Sequence, residues 1–465
     1  MQKLPRHAQY KESGLPWVGD IPAHWQTRRN RFLFREVDRR SKHGEETHLS
    51  MSQVHGLVPS KDLGRKSLQS ENYAGGKLVA EHDLVLNRLK AHLGVFARAK
   101  QAGVVSPDYT VFRPKGDASV RYCESLFKTP MYVGEFRRRT KGIVEGFWRL
   151  YTDDFYNVTA LLPPPEEQVQ IVAYLRAQDA HIARFIKTKR DLIKLLTEQK
   201  LRIIDHAVTH GLDSSVALKA SGIEWQGEVP EHWEVKPLKR WVRLNARTLG
   251  QKTSPDFEFR YVDIGSVQTG RLVKEPERIR FEAAPSRARR VLRRGDTIIS
   301  TVRTYLKAIW YVSEDADDLI ASTGFAVLTP GSGVEPEYLG YVIQSSPFVN
   351  RVTANSIGIA YPAIAETVLG RFPVALPPTV DEQQAIVASI KTESAPLDDA
   401  IARTEEEIKL IREYRDRLIA DVVTGQVDVR GWQPGPDDVV DDAALAALGD
   451  ENEDVTEEED GDGED

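Results

Sequence analysis

A chain of 465 residues is too long for one ordinary core and implies two or three domains. Its make-up, 41% hydrophobic and 28% charged, with no apolar run approaching the ~18 residues of a membrane span, excludes fibrous, collagenous and membrane-embedded classes. The net charge of −6 averages two unlike parts: residues 437–465 hold 15 Asp or Glu and no Lys or Arg, which leaves +9 on the preceding 436 residues. A basic body with clustered arginines points to a polyanionic partner, nucleic acid first. The opening Met1-Gln2-Lys3-Leu4-Pro5-Arg6-His7 lacks the apolar stretch of an export signal, and Cys123, the single cysteine, fits a reducing cytoplasm.

The chain is written twice. Ser13-Gly14-Leu15-Pro16-Trp17 through Pro22-Ala23-His24-Trp25 matches the segment from Ser221 to Trp233 at 7 of 13 positions, and four of the eight tryptophans lie in these two segments. Next comes an apolar, strand-like run at Asp83-Leu84-Val85-Leu86-Asn87-Arg88, then a basic cluster, Arg137, Arg138, Arg139 and Lys141, just before Gly142-Ile143. Pro163-Pro164-Pro165 holds the chain extended ahead of a helix. That helix is expected to break near Asp179, a good N-cap, to run on over roughly 180–210, and to end at Gly211 in the left-handed conformation.

The second copy repeats this order. Asp296 through Arg303 parallels the run at Asp83, and nine Lys or Arg crowd between Arg278 and Lys307, among them Arg289, Arg290, Arg303 and Lys307. Gly358-Ile359 stands beside Gly142-Ile143. Pro377-Pro378 precedes Thr379-Val380-Asp381-Glu382, which reads as a capping box with Glu382 reaching back to the helix start. Pro396 predicts a break and a restart, because a proline inside a helix removes a hydrogen bond and clashes with the preceding turn. The long helix then covers 396–424 and ends at Gly425. Glu167-Gln168 and Glu382-Gln383 stand at the same offset of 215 as the two helical segments.

Both long helices carry a heptad in one register. Ile182, Lys189, Leu196 and Ile203 alternate with Ile186, Ile193, Lys200 and Ala207; Leu397, Thr404, Ile411 and Leu418 alternate with Ile401, Ile408, Arg415 and Val422. Twelve of these 16 positions are apolar, and both copies turn polar at the same two levels. A lone amphipathic helix cannot bury its stripe, so the helices are expected to pair antiparallel, relating the modules by a pseudo-twofold. About 30 residues at ~1.5 Å each span on the order of 45 Å, somewhat more than one turn of B-DNA.

Catalytic signatures are missing. Gly75-Gly76-Lys77-Leu78 lacks the first glycine and the hydroxyl of a phosphate loop, and the chain holds no HExxH, no CxxC and no Asn-Pro-Pro or Asp-Pro-Pro followed by an aromatic residue. No catalytic residue, metal ligand or cofactor is assigned. The DNA-contact candidates are Arg88, Lys90, Arg137, Arg138, Arg139, Lys141, Arg289, Arg290, Arg303 and Lys307. Arg303 with Lys307, and Arg88 with Lys90 by correspondence, follow an apolar run where the chain must turn, a place from which two cations can reach a groove.

These residues, above all Gly222-Ile223-Glu224-Trp225 through Pro230-Glu231-His232-Trp233, Pro163-Pro164-Pro165-Glu166-Glu167-Gln168 and Pro377-Pro378 to Glu382-Gln383, resemble the specificity subunit of type I restriction-modification systems over about residues 13–426. The resemblance implies a mixed α/β fold with two target-recognition domains in tandem, 1–165 and 213–378. Helical spacers at 166–212 and 379–426 would pair as an antiparallel coiled coil, and an acidic disordered tail would occupy 427–465. It implies a non-catalytic cytoplasmic chain that reads an asymmetric bipartite site in double-stranded DNA. Two methyltransferase (M) subunits would dock on it, and motor/nuclease (R) subunits would join for restriction; no membrane is involved. The family often has Gly-Asp before a strand whose following loop approaches DNA. Gly295-Asp296 fits, whereas module one has His82-Asp83, which leaves the form of its turn open. A coiled-coil interaction scaffold with incidental basic faces is the alternative.

Overall fold

The computed structural model describes residues 4–52, 56–63, 73–116, 118–142, 148–223, 226–315, 317–358, 361–438, 440, 445 and 448. The chain divides into two compact units, residues 1–191 with 404–465, and residues 192–403. The architecture is mixed α/β, with the long helices Pro165–His210 and Val380–Val423 each shared between the units.

Both units are built on one four-stranded antiparallel sheet. In the first, Phe34–Glu36, Tyr109–Pro114, Leu84–Asn87 and Phe96–Arg98 lie side by side in that order; in the second, Val242–Leu244, Phe325–Pro330, Thr297–Ser300 and Ile309–Tyr311 repeat it. A helix pair follows the long strand each time, Val120–Phe127 with Pro130–Arg139 and Pro336–Gln344 with Ser346–Ala354. The middles differ. Unit two inserts a second four-stranded sheet, Glu277–Arg280, Glu258–Val262, Leu319–Ser322 and Ala288–Val291, where the described residues of unit one form two-stranded ladders.

The repeated tryptophan and glutamate motifs are the two halves of one lock. Trp25 is fully buried and its indole N–H donates to Glu167 at 3.0 Å, while His24 meets the other carboxylate oxygen at 2.7 Å. In unit two the Trp233 indole donates to Glu382 at 2.9 Å, and His232 lies 3.0 Å from the same carboxylate. The neighbouring glutamines fasten the helix starts. Gln168 donates to Pro163 O at 2.9 Å and accepts the Ser119 N–H at 2.8 Å; Gln383 donates to Pro377 O at 3.0 Å and accepts the Glu335 N–H at 2.7 Å. Thr379 caps Glu382 N at 3.3 Å as expected, but Glu382 does not reach back to the helix start. Its carboxylate is committed to the tryptophan.

The helices correct the expectation of breaks: each is continuous, through Asp179 in one and through Pro396 in the other. A proline in a helix interior costs ~3 kcal/mol, yet Pro396 faces solvent, where water can satisfy the carbonyl it strands, and the turns on either side are anchored by buried Ile390 and Thr404. Asp179 caps nothing; it accepts two hydrogen bonds from Arg415, at 2.6 and 3.2 Å. Gly211 and Gly425 do take the left-handed conformation, at φ 73° and 77°. A β-carbon on Gly425 would stand 2.4 Å from the Pro22 ring, so the helix end needs glycine for space as well.

Antiparallel pairing is evident inside each unit. In unit one Asp179 meets Arg415 and Lys189 meets Glu407 at 2.5 Å; in unit two Lys200 meets Asp398 at 2.6 Å. Three of the four polar heptad residues are thus the cations that bind the facing helix. The unit-one core takes Ile171, Tyr174 and Leu175 from the first helix and Val422 and Val423 from the second, whereas unit two takes Ile204, Ala207 and Val208 with Ile386, Val387 and Ile390.

The tail does not begin at 427. Val429 is buried in the unit-one core, Trp432 packs edge-on against Tyr174, Asp428 N–H donates to Pro5 O, and Asp438 meets His181 at 2.6 Å. Apolar Val427, Val429 and Trp432 are what hold this segment, and composition averaged over the acidic end hid them. Most of the acidic run beyond Asp438 lies outside the described residues.

Candidate nucleic-acid interface

Each unit carries a turn set by a buried aspartate. Asp296 is 1% exposed and accepts the Arg293 N–H at 2.8 Å, the Thr329 hydroxyl at 2.7 Å and the Arg247 guanidinium at 2.5 Å. Asp83, also 1% exposed, accepts the Ala80 N–H at 2.9 Å and a two-pronged contact from Arg113 at 2.9 and 3.0 Å. Gly295 precedes one at φ 90° and His82 the other at φ 70°, and both N–H groups bond across the sheet, to Val312 O and Ala99 O. The turn is therefore the same in both units. His82 adopts a conformation that costs a non-glycine residue roughly 1–2 kcal/mol, and Arg98 holds its ring at 2.9 Å.

In unit two the strand opened by Asp296 runs into a turn, residues 301–308, with two further left-handed residues. Arg303 (φ 51°) and Lys307 (φ 50°) bracket the single 3-10 turn Thr304–Leu306. Several bonds over-determine this shape. Thr304 Oγ1 donates to Ser356 Oγ at 2.7 Å, Ile364 N–H to Thr301 O at 2.8 Å, and Thr269 Oγ1 to Lys307 O at 2.8 Å. Ile357 and Ala363 close the adjoining loop with reciprocal backbone bonds of 2.8 and 2.9 Å. The Arg303 guanidinium lies 4.8 Å from the centre of the Tyr361 ring, a cation–π contact that leaves its charge uncancelled. Among the described residues neither Arg303 nor Lys307 has an ion-pair partner.

Sequence reasoning missed the apolar part of this surface. Tyr305 (52% exposed), Leu306 (42%), Ile357 (85%) and Tyr361 (65%) stand on the same two interlinked loops. The available signal was Tyr305-Leu306 set between Arg303 and Lys307, but periodicity does not reveal whether a turn residue points outward.

The remaining candidates divide by their partners. In unit one, Asn87 Oδ1 accepts the Leu89 and Lys90 N–H groups at 3.1 and 3.3 Å, shaping the turn that carries Arg88 and Lys90. Arg88 Nε donates to Asp108 O at 2.7 Å, and Leu150 N–H donates to Arg88 O at 3.1 Å, which brings the turn beside Arg149, whose backbone pairs with Lys141. Lys141 meets Asp154 at 2.8 Å, and Arg138 and Arg139 both grip Glu135, itself 5% exposed. Arg137 is exposed in the last turn of its helix and, among the described residues, has no ion-pair partner. In unit two Arg290 is bound to Glu366 at 2.6 Å, and Arg289 lies 4.7 Å over the Phe281 ring while donating to Ala288 O. The structure brings Arg303 and Lys307 together on one turn and sets Arg289 and Arg290 apart on a strand of the second sheet. Ile143 and Ile359, expected to mark a loop in each module, lie outside the described residues.

Cys123 is fully buried, and desolvation pushes its thiol up to about 12, far from the range of a nucleophile. Among the described residues no helix is long and apolar enough to cross a membrane.

No family model matches the chain, and no curated protein matches its sequence. Solved structures do. A chain of a type I R-M system, from a structure describing that system's complex assembly and conformational transition, is similar over 88% of this chain and 99% of its own, at 14% identity and a TM-score of 0.53. The HsdS subunit from Thermoanaerobacter tengcongensis covers 88% and 98% at 17% identity and a TM-score of 0.36, and the S subunit of the type I restriction-modification system from M. genitalium covers 86% and 96% at 12% and 0.32. The chain thus has the fold of a type I R-M chain.

Proposed function

We propose that this chain is the DNA sequence-specificity subunit of a type I restriction-modification complex, with residues 1–165 and 213–378 each reading one half of an asymmetric bipartite site. The carrying observation is the duplicated aspartate-set turn, which in unit two presents two unpaired cations beside exposed aromatic rings. Such a surface offers charge for phosphates and flat or apolar groups for bases, and it needs no catalytic group. Arg303, Lys307 and Arg137 are the first-choice contacts. Arg88, Lys90 and Arg289 are placed to assist, while Arg138, Arg139, Lys141 and Arg290 would first have to share a carboxylate.

The chain acts in the cytoplasm and does no chemistry of its own. Two M subunits dock on the helices and their flanks, one for each copy of the repeat, and R subunits join the complex for restriction. Exposed Phe185, Leu410 and Tyr414 in unit one and exposed Leu195 in unit two support such docking. Selection of duplexes from a random pool by the chain co-expressed with its M partner tests the reading. A two-part motif with a fixed gap should be enriched; a pool that stays random at every salt concentration would overturn it.

A further inference from the structure

The turn at 301–308 is unusual in offering apolar side chains, not merely charge, to whatever approaches it. Tyr305 and Leu306 sit at its tip, with the two left-handed residues Arg303 and Lys307 on either side. Non-glycine residues held in that conformation are strained, and they persist where the surroundings enforce the shape. Here the enforcing bonds come from outside the turn, through Thr269, Ser356 and Ile364. The tip is thus a stiff projection, and its two cations, which no carboxylate neutralises among the described residues, can hold the phosphates that flank an opened base step.

We propose that Leu306, backed by Tyr305, enters the duplex as an apolar wedge and unstacks one base step within the half-site read by residues 213–378. The proposal rests on the DNA-reading function above and adds a mechanism to it. Insertion of an apolar side chain exchanges stacking for a kink that wraps more protein surface. Flanking cations make the exchange favourable, because they neutralise phosphates brought closer by the bend. Unit one is built differently at the matching place. Its turn exposes Leu93 at the end of the 3-10 turn Ala91–Leu93, but Arg88 is tied to Asp108 and Gly94 closes the turn, so the wedge belongs to one half-site only.

The probe is a duplex carrying the selected motif, with 2-aminopurine placed at each position in turn and bound by the full chain together with its M partner. One step in the second half-site, distinct from the methylated base, should brighten several-fold. Leu306→Ala should abolish that signal and weaken binding to the motif roughly tenfold, Leu306→Phe should restore it, and Leu93→Ala should leave it intact. Brightening confined to the methylated base, or brightening that survives both Leu306→Ala and Tyr305→Ala, would overturn the wedge while leaving DNA reading in place. A wild-type complex with no preference for the motif duplex would overturn the underlying reading, and the wedge with it.

Discussion

Trp25 and Glu167 stand 142 residues apart in sequence, and the indole of one donates to the buried carboxylate of the other at 3.0 Å. Trp233 and Glu382 repeat the bond at 2.9 Å, but there the carboxylate is 31% exposed against 5% for Glu167. Removing an acceptor costs most where water cannot replace it. Glu167→Ala should therefore destabilise unit one by about 2–3 kcal/mol, as expected for a buried hydrogen bond to a charged group. Glu382→Ala should destabilise unit two by less. Urea unfolding of both variants checks this, and equal shifts would deny the lock its dependence on burial.

Acid should loosen unit one in two steps. Burial holds the His7 imidazole below its ordinary 6.5, despite nearby Asp428 and Glu167, with Arg430 and His24 also facing it. The unfolded chain then takes up a proton that the folded one refuses, so stability falls as pH drops below about 6.5. Asp428 is held at about 2 rather than 3.8, chiefly by its hydrogen bond to Arg430, and its contribution is present above 3.8 and lost as pH falls toward 2. His7→Gln should flatten the upper step and leave the lower one. His48, also lowered by burial, keeps some slope in the upper window. Thermal melts between pH 7 and 2 read both steps.

Truncation should separate the packed end of the chain from the acidic run. Deleting 427–465 removes buried Val429 and the Trp432 contact, and unit one should lose stability. Deleting 439–465 leaves those contacts in place. If the acidic run competes with DNA phosphate, the shorter deletion should strengthen non-specific binding most at low salt, where the screening length approaches ~30 Å at 0.01 M. Unchanged affinity at low salt with poorer solubility would make the run a solubility device only.

Arg303→Ala should cost ~1–3 kcal/mol and relax base preference in one half-site, if its guanidinium reads a base. Binding assays against single-base variants of the selected motif measure this. Equal weakening on every sequence would make Arg303 a phosphate contact instead.

Much of this structure could be read from the residues because the repeat preserves what the fold needs: Trp25 and Trp233, Glu167 and Glu382, Gly211 and Gly425 each serve one bond or one backbone conformation twice. Local rules failed where distant parts intervened. Pro396 and Asp179 look like helix boundaries, yet core packing on both sides carries the helices through them. His82 looked unlike Gly295, but the same cross-strand bond and the same buried aspartate fix both turns. The ten cations were visible as a set; Glu135 stands three and four residues before Arg138 and Arg139 on one helix, a spacing the sequence shows, whereas Asp154 and Glu366 reach Lys141 and Arg290 only in the folded chain. Exposure of Tyr305 and Ile357 depends on loop-to-loop bonds that no periodicity encodes.

The most direct test is methylation-sensitive sequencing of host DNA with and without this gene. The expected result is a methylated bipartite, asymmetric motif that vanishes when the gene is removed, and whose second half alone loosens in a strain carrying Arg303→Ala. An unchanged methylation pattern in the deleted strain would contradict the proposed specificity function.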